Sequence, residues 1–139
     1  MTIGASTYDQ LRDLYSIWAG SGGSCADVWL DLVSDDFQLN STLGGSRHIE
    51  FSRQAHGKAD LVAYFHGLIG DWDLTEFSIN EIFAADDRIV VVMRQAYRNR
   101  RTDKVADGPI VHVWRFRGRQ AIELQAFADT AKWVAAAKS

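Results

Sequence analysis

Residues 88–117 read RIVVVMRQAYRNRRTDKVADGPIVHVWRFR, and this stretch decides the architecture. From Arg88 to Asn99 the side chains alternate, with Val91, Met93, Gln95 and Tyr97 on one side and Val90, Val92, Arg94, Ala96 and Arg98 on the other. That is the period of two of a β-strand. Turn residues near Arg101 to Asp103 lead into Val105 to Arg117, where His112, Trp114 and Phe116 oppose Val111, Val113, Arg115 and Arg117. Two such runs joined by so short a turn are antiparallel neighbours. Gly108 and Pro109 interrupt the second run, and a proline has no N–H for a ladder, so a bulge or an edge is expected there.

Working outward, Leu74 to Ala84 turns at Ala85 to Asp87 into the first of these strands, and Gln120 to Ala128 returns after Gly118. Asp129 or Thr130 can cap a short helix over Lys132 to Ala137. Upstream the period changes. Leu11, Leu14, Tyr15 and Trp18 follow the i, i+3, i+4, i+7 spacing of one helical face, with Thr7 and Gln10 as a capping box and Gly20 to Gly23 as the stop. A second helix is expected from Ser24, with Trp29, Leu32 and Val33 as its stripe, ending near Ser34 to Asp36. A strand follows from Phe37, with Phe37, Leu39, Ser41 and Leu43 on one face. Gly44 to Gly57, holding Arg47, His48 and His56, reads as a loop, and Lys58 to Ile69 as a third helix with Leu61, Tyr64, Phe65 and Leu68 on one side. Helices segregated from a long antiparallel meander make an α+β domain, in which a curved sheet bends round three helices of the N-terminal half and encloses a cone.

Composition bounds the function. The 139 residues fit one domain, 1–139, and no stretch has the character of a linker. With 47% apolar and 12% aromatic residues a single core can form without staples. Five Trp and seven Phe are either bulky core or the lining of a ligand cavity. Cys25 is alone, Met1 to Thr7 has no basic leader or apolar h-region, and no run approaches a membrane span, so a cytoplasmic protein with no membrane partner is expected. A net charge of −3 argues against nucleic acid. The arginines at 94, 98, 100, 101, 115, 117 and 119 with Lys104 read either as a solvated rim paired with local acids or as a surface for an anionic partner. The four histidines lack His-x-His or His-Glu-x-x-His spacing, and no phosphate-cradling glycine loop occurs, so neither a metal nor a cofactor is expected.

The segments LRDLYSIWAG, WLDLVSDDFQL, HGKADLVAYF, GPIVHVWRFRGRQ and LQAFADTAKW, in this order and spacing, resemble the nuclear transport factor 2-like superfamily of the cystatin-like class. The resemblance runs from about Tyr8 to Ala137 and is strongest to the ketosteroid isomerase and SnoaL-type polyketide cyclase branches. It implies a pocket for a small, largely apolar molecule and pairing of two copies through the outer face of the sheet. The isomerase tyrosine that donates to a substrate oxyanion matches Tyr15. The isomerase base falls on Ser41, which cannot take a carbon-bound proton at neutral pH, and its second donor falls near Val111 or His112, so the steroid isomerase mechanism is disfavoured. The base of the SnoaL-type branch matches Asp129.

Three candidate catalytic residues result, each with a plainer alternative. His112 is an acid or base, or a histidine bonded across the sheet to Gln125. Asp129 is a base, or the cap of the last helix. Tyr15 donates to a ligand oxygen, or is a core tyrosine. The ligand-binding set comprises Trp18, Trp29, Leu39, Ser41, Phe65, Met93, Gln95, Tyr97, Trp114 and Gln125. The face of the last strand depends on its turn, because a one-residue slip flips every side chain. A loop over Arg117 to Gln120 pairs Phe116 with Ala121 and is expected to turn Glu123, Gln125, Phe127 and Asp129 inward, against the alternative of Ile122, Leu124, Ala126 and Ala128. The preferred reading leaves Val90, Val92, Val111, Val113, Ile122 and Leu124 as an apolar outer patch that suits a homodimer. Two functions stand: proton transfer on a small apolar carbonyl compound, as in an isomerase, cyclase or dehydratase, or non-catalytic binding.

Overall fold

A computed structural model describes residues 5–46 and 49–138 and sets the 88–117 hairpin inside a six-stranded sheet. In chain order the elements are α1 (Ala5–Ser21), β1 (Val33–Ser41), β2 (Ala55–His56), α2 (Gly57–Asp71), β3 (Trp72–Ala85), β4 (Arg88–Asn99), β5 (Val105–Arg117), β6 (Gln120–Phe127) and α3 (Thr130–Ala137). Single 3-10 turns occupy Ala26–Trp29 and Glu50–Ser52. The strand order is β2-β1-β6-β5-β4-β3, antiparallel throughout except that β1 runs parallel to β6. The sheet is open, and its concave face carries the helices, as the α+β reading expects.

β4 and β5 occupy the spans read from their alternation, and they pair without a register shift from Arg88–Arg115 to Arg98–Val105. Pro109 is tolerated because β6 reaches only as far as Val111 along β5, so beyond that point β5 is locally an edge. No bulge forms there against β4.

Three local readings are overturned. Thr7 is no N-cap: α1 already runs from Ala5, and Thr7 is buried at 4% exposure. The second helix is only the turn Ala26–Trp29, preceded by Cys25 with no side-chain cap, and the strand begins at Val33 rather than Phe37. The Leu32 carbonyl accepts from the Ala121 N–H, and Val33 pairs with Ala121. Pairing with β6 thus claims residues whose spacing alone suits a helix. The Gly44 to Gly57 loop contains the Glu50–Ser52 turn and the short β2; Arg47 and His48 lie outside the described residues.

The third correction concerns β6. Phe116 does pair with Ala121, as the turn requires, but a bulge follows at once, so Arg115 pairs with Glu123 and Trp114 with Leu124. The inserted Ile122 reverses the parity. Leu124 and Ala126 face inward at 1% and 8% exposure, whereas Gln125 and Phe127 are exposed. The outer patch therefore loses Leu124, which is core. It keeps Val90, Val92, Val111 and Val113, all half-buried, and gains Phe83 and Phe127, at 47% and 37% exposure.

The arginine cluster is laced to acids: Arg94 to Asp107 at 2.9 Å, Arg98 to Asp103 at 2.8 Å and to Asp73, Arg100 to Asp73 at 2.8 Å, Arg115 to Asp87 and Arg117 to Asp36 at 3.2 Å. This matches the paired-rim reading for these five arginines, while Arg101 and Lys104 donate to the Ala137 and Lys138 carbonyls. No helix among the described residues is long and apolar enough to cross a membrane.

Candidate functional site

The concave face of the sheet, α1, α2, α3 and the Ala26–Trp29 turn enclose a cavity of about 70 Å³. Since one water needs about 10–15 Å³ by this measure, the space takes a handful of waters or one compact organic molecule. Its wall is mainly aromatic. Trp29 stacks on Trp114 at 5.6 Å between ring centroids, Tyr15 meets Trp29 edge-on at 5.2 Å, and Trp18 lies 4.9 Å from Phe65. Tight helix packing sets this wall: a Cβ on Gly67 would lie 2.4 Å from the Cβ of Phe51, itself a lining residue.

Tyr15 comes from the apolar stripe of α1, and His112 and Trp114 from the inward face of β5. The Tyr15 hydroxyl lies 2.5 Å from His112 Nδ1 and accepts from Trp114 Nε1 at 2.8 Å. A second chain runs along β4, where the Tyr97 hydroxyl donates to Gln95 Oε1 at 2.6 Å and Gln95 Nε2 approaches Met93 Sδ at 3.4 Å. Trp29 Nε1 is buried with no hydrogen-bond partner among the described residues.

Among the described residues no Asp, Glu, Lys or Arg lines the cavity. Burial raises the Tyr15 hydroxyl far above the ordinary phenol range, against the lowering effect of the Trp114 hydrogen bond. It likewise raises Tyr97, and raises Tyr64 to about 12. The same desolvation pushes His112 down to about 4. All four ionisable lining groups are therefore neutral near pH 7, and the site is a polar but uncharged cluster in an aromatic shell.

Of the residues singled out from sequence, Tyr15, Trp18, Trp29, Leu39, Ser41, Phe65, Gln95, Tyr97, His112 and Trp114 line the cavity. Three are placed elsewhere. Met93 is core, at 1% exposure, and reaches the site only through Gln95. Gln125 sits opposite Val113 on the outer face because of the β6 bulge, which also removes it as a partner for His112. Asp129 is exposed and caps α3, its Oδ1 accepting from Lys132 N at 3.2 Å. The wall also contains Leu43, Phe51, Tyr64, Leu68, Ile110, Leu124, Ala126, Ala128 and Trp133. Tyr64 and Leu68 were visible as the apolar stripe of α2. Phe51 carried no signal, since it comes from a segment without a period. Among the described residues no three His, Cys, Asp or Glu are grouped to hold a metal ion.

The comparisons agree with this geometry. No curated protein matches the chain. Among solved structures, a nuclear transport factor 2-like protein of Burkholderia pseudomallei superposes with a TM-score of 0.81 at 19% identity, covering 98% of this chain and 100% of the other. A Catenulispora acidiphila protein with a ketosteroid isomerase-like fold, solved with trimethylamine, gives 0.70 at 12% identity, covering 90% and 92%. A Mesorhizobium loti protein named for SnoaL-like polyketide cyclases gives 0.69 at 13% identity, covering 85% and 95%. These likenesses show the fold alone. The sequence itself matches the SnoaL-like domain over residues 11–124, and the chain therefore belongs to the SnoaL-like family of the nuclear transport factor 2-like superfamily.

Proposed function

We propose that the cone binds a small, largely apolar carbonyl compound and acts on it as a cofactor-independent acid/base enzyme of isomerase, cyclase or lyase type. The observation that carries this reading is the 2.5 Å contact between the Tyr15 hydroxyl and His112 Nδ1 inside a wall that is otherwise aromatic and aliphatic. Burying a hydroxyl and an imidazole costs free energy that an all-carbon core avoids, and a pair so placed is matched to a polar atom of a guest. In surroundings of low dielectric, neutral donors held in place stabilise charge that develops on a carbonyl oxygen, and they need no reorganisation when it does. Asp129 has no part in this scheme, because it caps α3 outside the cavity. Ser41 lines the wall where a steroid isomerase would need a base, so the chemistry differs from that mechanism.

The test uses small ketones, cyclohexenone and acetophenone, in deuterated buffer. The wild-type protein is expected to accelerate exchange of their acidic C–H protons above buffer, and both Tyr15→Phe and His112→Gln to remove the acceleration. Binding without any exchange favours the second reading, a non-catalytic binder. That reading draws on the weak basicity of an imidazole held near a pKa of 4, since such a group is a poor acceptor of a carbon-bound proton. Neither binding nor exchange would refute both.

We also propose that two copies pair through the outer face of the sheet. Phe83 and Phe127 stand exposed beside Val90, Val92, Val111 and Val113, a contiguous apolar surface on strands whose other face is core. Sedimentation is expected to give a dimer that Val92→Lys with Val111→Lys dissociates. A monomeric wild type at high concentration would rule the pairing out.

A further inference from the structure

We infer that Trp114 is a positioning residue that sets the tautomer of His112, so that the cavity presents His112 Nε2–H as a donor and selects a ligand that meets it with an acceptor atom. The choice of ligand rests on the reading of the cavity above; the tautomer is a property of the resting protein.

The argument is a count of protons. An indole nitrogen can only donate, so at 2.8 Å the Trp114 N–H takes an acceptor position on the Tyr15 oxygen. The phenolic O–H is conjugated with its ring and lies close to the ring plane, which leaves one good acceptor direction and one O–H direction. With the first occupied by Trp114, the O–H falls to the remaining neighbour, His112 Nδ1, at 2.5 Å. Nδ1 then accepts, and the single proton of a neutral imidazole resides on Nε2. The opposite tautomer would crowd two donors onto the Tyr15 oxygen and leave its own proton with no acceptor among the partners the described residues provide. Burial without a charged group in the wall supports the neutral ring that this count requires.

The rest of the cavity repeats the pattern. Gln95 uses its carbonyl oxygen for Tyr97 and turns its amide nitrogen only to a thioether sulfur, a weak acceptor. Trp29 holds an indole N–H with no partner among the described residues. These groups offer N–H donors to the space, so a guest that meets them with an acceptor oxygen, such as a neutral carbonyl compound, fits.

The experiment is a long-range proton–nitrogen NMR correlation on uniformly labelled protein at pH 7. In wild type, His112 is expected to show Nδ1 at the unprotonated shift and Nε2 at the protonated one, a result that needs no variant to fold. In Trp114→Phe, which keeps an aromatic ring but removes the N–H, His112 is expected to become a mixture of tautomers. Acetophenone and α-methylstyrene have the same shape and differ in the acceptor oxygen. The wild type is expected to prefer the ketone by about tenfold, the worth of one buried hydrogen bond, and Trp114→Phe to lose most of that preference. A wild-type His112 protonated on Nδ1, or an unchanged tautomer in a folded Trp114→Phe, overturns the inference. If wild type shows the stated tautomer and neither probe binds, the positioning role stands and the ligand reading is what fails.

Discussion

Stability against pH offers the sharpest check on the uncharged cluster, because among the described residues no acidic side chain lines the cavity to offset a positive charge on the half-buried His112. It faces Tyr15 from α1 and Trp114 on its own strand, and among the described residues no Asp, Glu, Lys or Arg lines the cavity. Its pKa is lowered from 6.5 to about 4 by burial, so the unfolded chain binds the proton more tightly than the folded one. The contribution to stability is complete above pH 6.5 and is lost as pH falls from there toward 4. Linkage allows at most about 1.4 kcal/mol per pH unit for one proton, and the two values imply a loss of about 2 kcal/mol between pH 7.5 and pH 5. Asp36, held down to about 2 by Arg117 and Ser34, and Asp87, lowered by Arg115, lose their contributions only as pH falls below the ordinary carboxylate range. The assay is urea denaturation at half-unit steps from pH 7.5 to 5, on wild type and on His112→Gln. The quantity read is the slope, which is expected to be shallower in the variant whatever the offset between the two curves. Parallel curves would mean that His112 takes up its proton as readily in the folded state as in the unfolded, and the desolvated cluster would be refuted.

Four further results are expected. Tyr15→Phe leaves the Trp114 N–H and His112 Nδ1 without their shared partner and should cost about 2–4 kcal/mol by chemical denaturation, more than an exposed hydroxyl would. Asp129→Ala removes a helix cap and should cost about 1 kcal/mol while leaving ligand affinity unchanged; a loss of affinity at full stability would return Asp129 to the site. Leu124→Ala should cost about 2–5 kcal/mol and Gln125→Ala less than about 0.5 kcal/mol, an order that reverses if the β6 bulge is misplaced. Gly67→Ala must displace Phe51 and should cost about 1–3 kcal/mol by thermal denaturation, with altered affinity for any cavity ligand.

Alternation and turn chemistry are local, and what depends on them was legible in the chain. β4 and β5 run from Arg88 to Asn99 and from Val105 to Arg117, as their period of two requires. α2 extends the expected span by a residue or two at each end, and α1 carries its stripe of Leu11, Leu14, Tyr15 and Trp18 into the core. Because strand parity places every second residue together, His112 and Trp114 on β5 and Gln95 and Tyr97 on β4 could be assigned to one face before any coordinates. With Tyr15 they make up most of the polar content of the site.

Where a residue's position depends on a distant partner, the chain alone misleads. Leu32 and Val33 have the spacing of a helical stripe, yet the Ala121 backbone takes them into the sheet, and a hydrogen-bonded ladder outweighs a weak propensity. β6 shows the same limit more sharply. Its turn was read correctly, but one inserted residue, Ile122, exchanges Gln125 for Leu124 on the cavity wall, and no local pattern announces a bulge. That reversal also takes Asp129 from candidate base to helix cap. The sequence by itself determined the spans of β4 and β5 and the inward face of the central hairpin, since these follow from periods repeated over many residues, while its ordered segments carried the family resemblance. Only the tertiary structure decided which hydroxyl meets which imidazole, because a 2.5 Å contact between residues 97 positions apart depends on how the α1 helix is seated on the sheet.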